Sequence, residues 1–264
     1  MYFQTSDNQN LYYEIRGNNK SKKSLLFLNG VLQDTKAWNL ITPFFEKEYR
    51  IILCDFIFQG QSDKKGEYRT FDQHADDMSG LLRYLKIPKV SLIGISYGSL
   101  VAQHFALNHS DQLDRLILLS SFANNTPYFD AINLAWQRAL QTGGYSLLLD
   151  VMLPNVLSED YFNHPLLPIN ALKMSRESLG LESSAVQKLM LATQTRGDYR
   201  NKLKPIKNPT LIIHGEKDTL VTLQMGKELA IAIPNSLLAV IPKAGHTLNL
   251  EAVEQTVELI KEFL

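Results

Sequence analysis

The sequence lacks what several common strategies require. It has a single cysteine, Cys54, in 264 residues. That excludes an internal disulfide and any thiolate metal cluster. No apolar run approaches the ~18 residues of a membrane-spanning helix. The first twenty residues are polar, without the basic and apolar regions of a secretory signal. Neither sign of charge is in excess, because 27 basic and 27 acidic side chains leave a formal net charge of +0. Nothing electrostatic therefore points to nucleic acid or an anionic membrane as partner. No G-x-G-x-x-G or Walker-type loop follows a strand pattern, and no His/Cys/Asp/Glu group has metal-ligand spacing. The expectation is a cytoplasmic protein, monomer or homodimer, with a small-molecule substrate, no cofactor and no metal.

What is present is an alternation. Continuous apolar runs at 25–28, 51–54, 90–93, 116–119, 211–213 and 237–241 have the pattern of strands buried on both faces. A hairpin pattern at 2–4 and 11–15 precedes them. Helical patterns at 38–48, 71–85, 99–107, 223–232 and 251–263 lie between or after them. Strand and helix repeated this way predict an α/β fold with a mostly parallel sheet and helices on both faces. Residues 122–204 break the pattern with four helical stretches, at 129–140, 144–152, 168–179 and 185–194, and no strand. No long flexible linker flanks them. They are expected to form an inserted helical cap, leaving 1–121 and 205–264 as the core domain.

The strongest chemical signal is Gly94-Ile95-Ser96-Tyr97-Gly98. G-x-S-x-G alone is common, and a serine capping a helix is its plain alternative. Here the motif follows an apolar strand and opens a helix. A tight turn of that kind lifts the serine hydroxyl above the sheet edge, with glycines where a Cβ would clash. The first helical turn also leaves backbone N–H groups free to receive a developing oxyanion. A nucleophilic serine needs a base, and the base needs an acid to orient it. Both follow the serine in the expected chain order. His246 lies just past the last strand, and Asp218 just past the strand before it. All three then emerge at the C-terminal edge of the sheet, where ligands meet open α/β sheets. Glu216 is the weaker competitor for the acid. His74, His104, His109 and His214 read as structural, and Cys54 as a buried strand residue.

These motifs, with Asn29-Gly30, Asp55 and Gly60-Gln61-Ser62-Asp63, run along essentially the whole chain. Together they resemble the α/β-hydrolase superfamily. Within it the chain looks like the small capped hydrolases: enol-lactonases, carboxylesterases and C–C bond hydrolases. The resemblance implies an eight-stranded sheet and an oxyanion hole made by the backbone N–H groups of Val31 and Tyr97. Three departures bear on substrate. Asn29 stands where the family usually has His, Ile57 and Phe58 replace an Arg and a Gly, and Ser99 replaces a second glycine. Fold-mates that open epoxides or displace halide use Asp at the elbow, so Ser96 argues against both.

The expected function is therefore a serine hydrolase of a small or medium, largely apolar ester, lactone or thioester. Asn29, Tyr128, Trp136 and Met152 are the candidate substrate contacts. The alternatives are a ligand receptor of the same fold, slow or without catalysis, and a C–C hydrolase or acyltransferase using the same serine.

Overall fold

In the computed structural model, which describes residues 1–264, the apolar runs become strands, and those in the middle of the sheet are covered on both faces. The strands are β1 (Tyr2–Gln4), β2 (Asn10–Gly17), β3 (Ser24–Leu28), β4 (Arg50–Cys54), β5 (Val90–Ile95), β6 (Leu113–Leu119), β7 (Thr210–Gly215) and β8 (Ser236–Ile241). They form one sheet in the order β1-β2-β4-β3-β5-β6-β7-β8. β2 runs antiparallel to β1 and β4, and the pairings from β4 to β8 are parallel. Every residue of β3, β5 and β7 is buried. Alternate side chains divide between two cores. Leu26 and Leu28 enter the larger core, and Leu25 and Phe27 the smaller one with Trp38 and Phe45.

Helices α1 (Phe71–Tyr84), α2 (Tyr97–Asn108), α7 (Leu223–Ala232), α8 (Leu248–Glu251) and α9 (Val253–Phe263) cover the sheet. Between β6 and β7 the chain forms α3 (Pro127–Val156), α4 (Glu159–Asn163), α5 (Ile169–Glu177) and α6 (Ser183–Thr195). Phe129, Trp136, Leu149, Val186 and Met190 of these helices belong to the same buried cluster as the sheet residues.

Three helical expectations change. Residues 38–48 form no α-helix. They carry the end of one 3₁₀ turn, Thr35–Trp38, and a second, Thr42–Phe44. Pro43 lies in the second, where it can donate no helical hydrogen bond. The stretches expected at 129–140 and 144–152 join as α3, broken where Gly144 takes φ 68° and ψ −161°. The last helix divides at Ala252.

A buried polar chain joins α6 to α2 and α1. Arg196, just past α6, donates to Gln103 Oε1 at 2.6 Å, to Ala123 O at 3.1 Å and to His104 Nε2 at 3.2 Å. His104 Nδ1 meets Asp72 Oδ1 at 2.7 Å. Because Nε2 accepts, the imidazole proton sits on Nδ1 and points at Asp72. Burial, reinforced by Arg196, holds His104 down at about 4, so it is neutral at pH 7. Arg196→Met would leave three buried acceptors without this donor. It should lower stability by about 3 kcal/mol in urea unfolding. A loss below about 1 kcal/mol would show that this chain does not hold the helices to the sheet.

Candidate active site

β5 ends and α2 begins within one residue, and the backbone of Ser96 absorbs the change of direction with φ 50° and ψ −117°. That conformation is strained for a residue with a Cβ. Its neighbours explain how it persists. A Cβ on Gly94 would come within 2.5 Å of Gly98 O, and one on Gly98 would overlap the carbonyls of Leu28 and Asn29. The two glycines thus let β3, β5 and α2 meet at backbone distance. Ser96 N–H donates to Leu119 O at 3.0 Å, and Ser96 O accepts from Ser99 and Leu100 N–H. The Ser99 hydroxyl also bonds Ser96 O, and it lies 2.7 Å from Ser121 Oγ. One hydroxyl has one proton, so Ser99 donates to Ser96 O and accepts from Ser121. Gln103 Nε2 donates in turn to Ser121 Oγ at 2.8 Å. Ser99, which stands in place of a glycine, is a brace under the turn.

His246 and Asp218 come from adjacent loops past β8 and β7. Those loops meet closely because Gly215 has no Cβ to overlap the carbonyls of Ala244 and Gly245. Asp218 is buried. Its Oδ1 accepts from Leu220 N–H at 3.0 Å and Val221 N–H at 2.8 Å, and its Oδ2 lies 2.7 Å from His246 Nδ1. This arrangement puts the Nδ1 proton toward the carboxylate and leaves Nε2 facing outward. Glu216 bonds the exposed backbone at Lys243 instead.

Ser96 opens onto two cavities. One is largely apolar, with Leu32, Leu100, Phe122, Phe129, Met190 and Leu220 among its walls. The other is more polar and includes Gln33, Arg176, His246 and Thr247. Val31, Ser96, Trp136 and Leu220 border both. The backbone N–H groups of Val31 and Tyr97 donate to no acceptor among the loop and cap hydrogen bonds. Both residues line the apolar cavity beside Ser96. The site therefore offers a hydroxyl bordering both cavities, two free donors beside the apolar one, and an imidazole held by a carboxylate at the polar one.

A model of the α/β-hydrolase fold family matches residues 23–253. The chain belongs to the α/β-hydrolase family. The uncharacterized hydrolase YugF of Bacillus subtilis (strain 168) is 26% identical, covering 98% of this chain and 96% of its own length. The 2-hydroxymuconate semialdehyde hydrolase of Pseudomonas sp. (strain CF600) is 25% identical over 86% of this chain and 80% of its own. Among solved structures, a thermophilic esterase from Thermogutta terrifontis aligns with TM-score 0.88 at 25% identity, covering 99% of this chain and 96% of that one. The enol-lactonase from Burkholderia xenovorans LB400 shares the fold with TM-score 0.89 at 23% identity, covering 100% and 99%.

Of the expected substrate contacts, Trp136 and Met152 line the cavities. Tyr128 does not. It sits in the first turn of α3 and is 56% exposed, because the helix turns Phe129 inward instead. Asn29 also turns away from the cavities. Its Nδ2 donates to Cys54 O at 2.9 Å, and its Oδ1 accepts from Trp38 Nε1 at 2.9 Å. Asn29 is a strut between β3 and β4, sited where its amide satisfies two buried groups.

Two residues beside the site escaped the sequence reading. Glu251 accepts from Gly245 and Thr247 N–H, on either side of His246, and from Ser158 N–H before α4. One carboxylate thus fixes the histidine turn and ties it to the inserted helices. The other is Arg176, which borders the polar cavity from α5. No local pattern marks either, since each acts across the fold.

Asn29→Ala orphans the buried Trp38 Nε1 donor. It should cost about 2 kcal/mol in urea unfolding while leaving KM for a small ester within about twofold. A tenfold rise in KM at unchanged stability would return Asn29 to the substrate site.

Proposed function

We propose that this protein is a serine hydrolase that cleaves small or medium carboxylic esters, lactones or thioesters through an acyl-enzyme on Ser96. The observation that carries the reading is the strained Ser96 turn, placed between two unoccupied N–H donors and a cavity that His246 also lines.

In the proposed cycle Ser96 Oγ attacks the substrate carbonyl carbon and its proton passes to His246 Nε2. Asp218 keeps the imidazole in the required tautomer and stabilises the imidazolium. The carbonyl oxygen becomes an oxyanion received by the N–H groups of Val31 and Tyr97, each contributing about 3 kcal/mol to the transition state. The tetrahedral intermediate collapses, the bond to the leaving oxygen or sulfur breaks, and His246 returns its proton to that atom. Water then adds to the acyl-enzyme with His246 as base. The acid is released and Ser96 regains its proton. The strain at Ser96 and the free N–H groups exist before substrate arrives, so little reorganisation is needed during the reaction.

Helices α3 to α6 act here as a cap. Phe129, Trp136 and Met190 roof the apolar cavity, which suits a hydrocarbon acyl group. A second reading, C–C bond cleavage by the same serine, draws support from similarity to the 2-hydroxymuconate semialdehyde hydrolase. Turnover of p-nitrophenyl acetate that is lost in Ser96→Ala would favour the first reading.

Ser96→Ala should reduce hydrolysis of p-nitrophenyl acetate by at least ~10³-fold and abolish labelling by a fluorophosphonate. Asp218→Asn should reduce turnover by about 10⁴-fold while leaving the fold intact. Turnover unchanged in Ser96→Ala would overturn the assignment. Labelling of Ser96 without turnover of any ester would instead support a receptor.

A further inference from the structure

Arg176 is the only guanidinium that borders the cavities around Ser96. It projects from the last turn of α5, and its Nη1 donates to Leu32 O at 2.6 Å. No carboxylate lies within ion-pair distance of it; Arg196, buried and likewise without an ion pair, differs in having three protein acceptors. Its side chain is partly buried, and this burial lowers its pKa while Tyr145 and Asp34 oppose the shift. A guanidinium remains charged at neutral pH even so. A partly desolvated cation with no counter-ion in contact carries a cost. It is found where a ligand supplies the missing charge, or where the fold tolerates the cost for another reason.

Its surroundings favour the ligand. Gln33 borders the same cavity, and its Oε1 is already occupied by Gly30 N–H at 2.9 Å. That bond turns the Nε2 amide outward, and Nε2 donates to no protein acceptor. The polar cavity therefore holds a cation and an unspent amide donor. Asp34, in the adjoining groove, acts on Arg176 but forms no ion pair with it. Planar guanidinium and amide donors match a carboxylate, which can accept from both.

The side of the substrate also follows. His246 lines the polar cavity with Arg176 and is absent from the apolar one. In the proposed reaction His246 must protonate the leaving oxygen, so the alcohol part lies toward His246. The acyl part then occupies the apolar cavity, beside Tyr97. Resting on the serine-hydrolase reading above, we infer that Arg176, with Gln33 beside it, binds a carboxylate on the alcohol side of the substrate. The preferred substrate class is thus an ester or lactone with an apolar acyl part and an anionic alcohol part. This adds a negative charge on the alcohol side to the expected largely apolar substrate. Arg176 also borders a groove between residues 33–40 and α5, a route by which an anionic product would leave.

The test compares two butyrate esters, phenyl butyrate and 3-carboxyphenyl butyrate, on the purified protein. In the natural sequence kcat/KM should favour the carboxylated ester at least tenfold after correction for leaving-group pKa. In Arg176→Met the ratio should fall to near one, and Arg176→Lys should restore part of it. A ratio near one in the natural sequence, or an equal loss on both esters in Arg176→Met, would overturn the inference and make Arg176 a brace for the Leu32 loop. If Arg176→Met does not fold, inhibition of the natural protein decides. 3-Hydroxybenzoate should inhibit at least tenfold more tightly than 3-hydroxybenzamide, and equal inhibition would contradict the proposal. Failure of the serine-hydrolase reading looks different: neither ester turns over, or turnover survives Ser96→Ala.

Discussion

At Ser96 three backbone segments approach more closely than any side chain would allow. The end of β5, the first turn of α2 and the loop after β3 touch through Gly94 and Gly98. Between them Ser96 is held at φ 50°, a conformation it would leave if the chain were free. The sheet supplies the restraint. Ser96 N–H is bonded to β6, and the serine carbonyl caps α2. From this follow the exposed hydroxyl, the free Tyr97 N–H at the helix start, and the nearby Val31 N–H after β3. The Ser99–Ser121–Gln103 chain and then Arg196 carry the same restraint outward to α6.

A second constraint acts at the loops that carry Asp218 and His246. The loops after β7 and β8 are joined at Gly215, and Glu251 clamps both flanks of His246. The same carboxylate reaches Ser158, and Thr247 Oγ1 donates to Val156 O at 2.8 Å. The imidazole is thus positioned by groups that also anchor the inserted helices.

The sheet was legible because strands buried on both faces appear as apolar runs, and β3, β5 and β7 are such strands. The elbow was legible because its glycines answer a local steric demand. Asp218 and His246 could be placed by chain order, since parallel strands bring successive loops to one edge. What escaped has no local signature. Asn29 turned out to be a strut because Trp38, nine residues on, needed an acceptor. Tyr128 and Phe129 are adjacent aromatics, and only packing decides which one faces the cavity. The break in α3 depends on the positive φ of Gly144. Arg176 and Glu251 are ordinary surface types in the sequence, and their roles arise from segments 144 and 93 residues away in the chain.

The central claim is that Ser96 becomes covalently acylated during turnover. Intact-mass spectrometry of protein quenched in acid during steady-state hydrolysis of phenyl butyrate tests it most directly. The account predicts a population heavier by one butyryl group, mapped by peptide digestion to Ser96 and absent from Ser96→Ala. Turnover with no adduct at any quench time, or an adduct on another residue, would contradict it.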